Sequence, residues 1–163
     1  MYEQEYLFNK VAIASDHGGF FMKRKIVKFV CSLEPKDAIT IAEYGADSDA
    51  PCDYPDFIPP VISDVLLDGA AGILICKSGV GMSIGANRFH GIRAALCYNE
   101  KVVVSSRNHN DANIMVIPSE YSSAEEVFQW LIKFISAPFH DGRHSRRVQK
   151  VELLQTDTKR IIQ

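Results

Sequence analysis

The chain has 163 residues, 47% of them hydrophobic, and a formal net charge of −2. That length suits one ordinary globular domain with a buried core, and acids and bases interspersed along the chain argue against a nucleic-acid or membrane surface. No run approaches the ~20 apolar residues of a membrane span, and MYEQEYLFNK lacks the apolar stretch of a signal peptide, so a cytoplasmic protein is expected.

In chain order, VAIASD (11–16) reads as a short strand ending in an acid. The next segment places Phe21, Ile26, Phe29, Val30 and Leu33 at helical spacing. ITIAEYG (39–45) reads as a second strand, followed by the polar, proline-punctuated loop ADSDAPCDYPD. FIPPVISDVLLDG predicts a helix with prolines near its start, where they are tolerated. GILIC (72–76) is an almost wholly apolar third strand; 82–89 is predicted helical and IRAALC (92–97) is a fourth strand. The valine run Val102–Val104 favours strand by propensity, but a helix there preserves the alternation and is the reading adopted. NIMVIP (113–118) is the fifth strand. Ser123 and Glu126 then stand at capping-box spacing before a helix with Val127, Trp130, Leu131 and Phe134 on one face, and a polar last helix starts near Arg143.

Apolar strands alternating with helices predict a parallel sheet covered on both faces. Such sheets bind ligands at the carboxyl ends of their strands. The segments expected there are SDHGG with Asp16 and His17, CKSGVG with Cys76, and RNHNDAN with His109. Acid, imidazole, thiol, hydroxyl and bare backbone are thereby expected along one edge.

Several motifs carry less than they suggest. GVGMSIG spaces as GxGxxxG, and no acid ends the next strand to read a ribose. GMSIG matches G-x-S-x-G, but Ser83 falls inside the helix and not on the turn directly after a strand, as a hydrolase nucleophile requires. The four cysteines (Cys31, Cys52, Cys76, Cys97) form no CxxC pair, so neither zinc nor a disulfide framework is expected. Three of them read as buried filler. Cys76 differs, because a thiol beside a helix N-terminus is a candidate base or nucleophile. Arg143 and Arg147 share one helix face, and Arg107 reads as structural.

SDHGG, DYPD, GILICKSGVGMSIGANRFHGIRA, SRNHNDAN and GRHSRRV occur in that order. Together they resemble the type B ribose-5-phosphate isomerases and their galactose-6-phosphate isomerase relatives, over roughly Val11 to Val151. The resemblance implies one sugar-phosphate isomerase domain over 1–163, with an N-terminal extension (1–10) and a C-terminal helix (138–163) packing on a dimer partner. It implies an α/β fold, a three-layer α/β/α sandwich with a five-stranded parallel Rossmann-like sheet. No cofactor and no metal are implied. The expected assembly is a homodimer, or a dimer of dimers, with a shared active site. The implied reaction interconverts ribose 5-phosphate and ribulose 5-phosphate. Galactose or allose 6-phosphate is the alternative substrate, and a non-enzymatic flavodoxin-like phosphate-binding module is the further one.

Residue by residue, the resemblance makes Cys76 the proton-abstracting base and His109 the group that opens the sugar ring. Asp16, His17, Asn110 and the loop Lys77, Ser78, Gly79, Val80 and Gly81 fall at substrate-contacting positions. Arg143 and Arg147 match a phosphate clamp. An enediolate mechanism then asks Ser78 to steady the thiolate, the amides of 78–81 to meet the oxyanion, and Asp16 to assist His109. Glu120 stands where some relatives carry an arginine.

Overall fold

The computed structural model describes residues 5–33 and 39–154. Among these, five strands form one wholly parallel sheet in the order β2-β1-β3-β5-β4. They are β1 (Lys10–Ser15), β2 (Thr40–Glu43), β3 (Ala71–Cys76), β4 (Ala94–Leu96) and β5 (Ile114–Pro118). Six α-helices accompany them: α1 (Phe20–Val30), α2 (Ile58–Asp68), α3 (Val80–Ala86), α4 (Glu100–Asn110), α5 (Ala124–Ser136) and α6 (Arg143–Leu154).

Successive strand residues point to opposite faces, and both faces are dry. On one face Val11, Ile13, Ile73, Ile75, Met115 and Ile117 pack under α1, α4 and α5, against Ile26, Val103, Trp130 and Phe134. On the other, Ala12, Ala14, Leu74, Cys76 and Val116 pack under α2 and α3, against Val61 and Met82. Three layers result, as the alternation of elements predicts. Phe21 departs from expectation: it is exposed, because α1 turns Met22, Ile26 and Val30, four residues apart, towards the sheet.

The valine run is helical. Asn99 caps α4 by accepting the Val102 N–H at 2.9 Å, and that local start outweighs β propensity. Ser123 and Glu126 form the expected reciprocal box at the start of α5. Residues 5–10 lie along α5, with the Leu7 N–H on the Ile135 carbonyl (2.8 Å) and Phe8 stacked on Phe134. Residues 1–4 of the expected extension (1–10) and the tail beyond Leu154 lie outside the described residues.

The topology itself places a crevice. β1 leads into α1 on one face, while its neighbour β3 leads into α3 on the other. Where adjacent parallel strands send their chains to opposite sides, their carboxyl ends leave an opening for a ligand. Asp16 and Cys76 stand at those ends. The loop after β2 is tied there by buried Lys23, whose Nζ donates to the Tyr44 and Ala46 carbonyls at 2.8 and 3.1 Å.

Candidate active site

At the carboxyl edge, the chain after β1 turns at Asp16, a buried carboxylate whose Oδ1 accepts the Gly19 N–H at 3.1 Å. That bond caps the 3-10 turn His17–Gly19 and fixes His17 at its first position. Across the crevice, Cys76 is 6% exposed and its Sγ accepts the Gly79 N–H at 3.2 Å. Gly79 has φ +74, and a Cβ there would meet Leu96 Cδ1 at 2.4 Å, so the turn aiming this amide at sulfur requires glycine. The Ser78 hydroxyl does not serve the thiol as expected. It accepts the Val80 N–H at 3.3 Å, while the Gly79 amide meets the sulfur. Of the four amides expected to face an oxyanion, those of Gly79 and Val80 are thus engaged within the loop.

The loop before α2 supplies a wall that the sequence reading missed. The Tyr54 ring lies against Gly81, where a Cβ would come within 2.7 Å of it. Cys52 sits on His17, with its backbone N–H 3.3 Å and its Sγ 3.7 Å from Nδ1. The sequence reads as a proline-punctuated loop here, and nothing in its spacing says which residues it faces. The filler reading of the cysteines holds for Cys97, whose thiol pKa burial pushes up to about 12. It fails for exposed Cys31 and for Cys52. Lys77 also departs: its side chain lines a cleft of about 520 Å³ with Gly18, Lys25, Ser119 and Glu120, a cleft that Cys76 and His17 do not border.

His109, Asn110, Arg143 and Arg147 lie elsewhere. α4 runs antiparallel to the strands, so its last turn returns to their amino edge, where Asn113 receives the Arg93 N–H. Gly72 pairs with Ile114 and Cys76 with Pro118; at about 3.3 Å per residue the two edges are some 13 Å apart along the strands. The expectation that all these groups share one edge is therefore wrong within a single chain. The motif RNHNDAN ends a helix, and a helix end before a parallel strand belongs to the opposite side of the sheet.

There the residues form a second cluster. The His109 ring stacks on His144, centroids 4.5 Å apart, and the His140 N–H donates to the Asn108 carbonyl at 2.9 Å. Arg143 Nε donates to His144 Nε2 at 3.4 Å. Asn110 and Arg147 border a cleft of about 470 Å³ together with Val151 and Leu154. Desolvation first, then the positive charge of His109, Arg143, Arg147 and His140, holds the His144 pKa below the usual imidazole value. Such crowding of cationic groups favours an anion between them. α6 is anchored by Glu152, which takes Arg93 Nη1 at 2.6 Å and the Gly91 N–H at 3.2 Å. Arg107 is structural as read: it is buried, bonded to Asp111 and the Ala112 carbonyl, and lies over the Phe8 and Phe134 rings.

This chain is similar to proteins already described. A family model described as Ribose/Galactose Isomerase matches residues 11–151. A putative sugar phosphate isomerase of Rickettsia bellii is 38% identical over 143 residues, covering 87% of this chain and 96% of the relative. Ribose-5-phosphate isomerase B of Escherichia coli is 34% identical over 149 residues, covering 90% and 96%. Among solved structures, a ribose 5-phosphate isomerase of Thermotoga maritima superposes with a TM-score of 0.83 at 41% identity, covering 88% of this chain and 97% of that one. The match spans both clusters, from the strand leading to Asp16 through the helix carrying Arg147, and on that extent the chain belongs to the Ribose/Galactose Isomerase family.

Proposed function

We propose that this chain is an aldose–ketose isomerase interconverting D-ribose 5-phosphate and D-ribulose 5-phosphate through an enediolate. The observation that carries the reading is the Cys76 thiol at the β1/β3 crevice with a backbone N–H directed at its sulfur. That is the donor contact a thiolate base requires. The Cys76 thiolate takes the C2 proton of the open-chain aldose, and the electron pair moves through the C1–C2 bond to the carbonyl oxygen. The Ser78 and Gly81 amides, the two not engaged within the loop, receive that negative oxygen. Moving the O2 hydroxyl proton to O1 turns the negative charge onto O2, and returning the abstracted proton to C1 then completes the ketose. Asp16 and His17 hold substrate hydroxyls at the same edge.

His109 opens the sugar ring, and Arg143 and Arg147 clamp the phosphate, so their binding energy orients the reacting end. These groups stand across the sheet from Cys76 in one chain. We therefore assign each site to two chains, one giving the thiol half and the other the histidine–arginine half. A two-fold homodimer makes two such sites. The exposed apolar residues Val80, Ile84, Tyr98, Val151 and Leu154, near both halves, suit burial against a second copy. A cytoplasmic location fits four free cysteines. The test is direct: incubate the protein with ribose 5-, allose 6- and galactose 6-phosphate and measure ketose. Turnover greatest on the pentose supports the reading. Preference for a hexose phosphate assigns the substrate to the larger sugar, and phosphate binding without ketose overturns catalysis altogether.

A further inference from the structure

His17 is a site residue whose hydrogen-bonding state the fold decides. Its Nδ1 lies 3.3 Å from the backbone N–H of Cys52 and 3.7 Å from the Cys52 Sγ. A backbone N–H can only donate, so Nδ1 must be the accepting, unprotonated nitrogen. In a neutral imidazole the proton then resides on Nε2. The thiol adds a second, weaker donor to the same lone pair.

Both sides of this contact are held in place. His17 opens a 3-10 turn capped by Asp16. The loop carrying Cys52 is fixed upstream by the Ala46 N–H on the Ser15 carbonyl (2.9 Å) and by Lys23, and downstream by the Tyr54 ring against Gly81. Neither partner needs to move for the other to find it. A free histidine divides its proton between two nitrogens; this one is presented with a single N–H aimed away from Cys52.

We infer that Cys52 is a positioning residue: its amide and thiol fix His17 as the Nε2–H tautomer, so that the ring donates one directed hydrogen bond to an oxygen of the bound sugar phosphate. The inference rests on the sugar-phosphate reading for its consequence, but not for its geometry. Cys52 touches no reacting atom and acts only through His17.

Two measurements test it on the full-length protein. Nitrogen-15 NMR of the imidazoles, with His17→Asn identifying the signal, should show Nε2 protonated and Nδ1 bare in the unliganded protein at pH above the imidazole range. Kinetics on ribose 5-phosphate should show Cys52→Pro, which removes the amide donor, raising KM about 3- to 10-fold with kcat nearly unchanged, as loss of one modest hydrogen bond implies. Cys52→Ala, which keeps the amide and loses only the weaker thiol contact, should raise KM less. Cys52→Ser, which keeps the amide and a side-chain donor, should hold KM at the wild-type level. A proton found on Nδ1, or a Cys52→Pro protein that keeps the Nε2–H tautomer and a wild-type KM, overturns the inference. The NMR result needs no substrate. An inactive protein with the Nε2–H tautomer breaks the isomerase reading alone, and an active isomerase with Nδ1–H breaks this inference alone.

Discussion

The two clusters differ in how they are built. At the carboxyl edge, Asp16, His17 and Cys76 are bonded to main-chain amides and stand on buried or half-buried backbone. Their geometry is set before any ligand arrives. At the amino edge, His109 and Asn110 end α4 and Arg143 and Arg147 lie in the first half of α6, all with exposed side chains. The His109 ring is stacked on His144, which is crowded by the positive charge of His109, Arg143 and Arg147. One cluster has the features of a place for chemistry, fixed and largely dry. The other has those of a place for binding a dianion, cationic and open. The sheet between them explains why one chain cannot be a complete enzyme under the proposed reading.

The comparison can be broken most severely at the thiol. Cys76→Ser should lower kcat by about 10²–10⁴, the usual contribution of general acid–base catalysis. The melting temperature should stay close to wild type, because the swap is nearly isosteric. Proton exchange at the sugar's reacting carbon, followed in deuterated water, should vanish with it.

His109→Ala comes next, with a loss of about 10²-fold on ribose 5-phosphate if it opens the ring. A four-carbon aldose 4-phosphate cannot close a ring through its blocked hydroxyl, so its turnover should be far less affected. Equal losses on both substrates would remove ring opening from the role of His109.

The cationic cluster should respond differently. Arg143→Ala or Arg147→Ala should raise KM about 10- to 150-fold, the value of one charge-assisted contact, while leaving kcat largely intact. A fall in kcat at constant KM would place these arginines in the chemical step.

The smallest effect belongs to neither cluster. Two hydrogen bonds from Ser123, first its backbone N–H and then its hydroxyl, hold the Glu126 pKa below the ordinary carboxylate value. A depressed folded pKa contributes stability that is fully present above the unfolded value and is lost as pH falls through the folded one. Glu126→Gln should therefore lower the melting temperature slightly at neutral pH, with the difference vanishing in acid and the kinetics unchanged.

Most of the architecture was legible because periodicity is local. The dry strands, the Ser123–Glu126 cap and the glycine loop after Cys76 are each dictated by residues within a few positions of one another. The misreadings share a different cause. Whether Phe21 or Met22 faces the sheet depends on where α1 begins. That Cys52 sits on His17, or that Tyr54 covers Gly81, depends on how a loop folds back over 30 residues or so. The placement of His109 failed for a topological reason. A motif at the end of a helix that precedes a parallel strand belongs to the amino edge, because the helix carries it back across the sheet.

The central claim is that catalysis joins the thiol half of one chain to the histidine half of another. Mixing Cys76→Ser subunits with His109→Ala subunits, each nearly inactive alone, and allowing exchange tests it directly. In a shared-site dimer the hybrid regains one intact site of two, and an equal mixture should recover about a quarter of wild-type activity. If subunit exchange is demonstrated and activity stays at the level of the parents, each site belongs to a single chain and the account is contradicted.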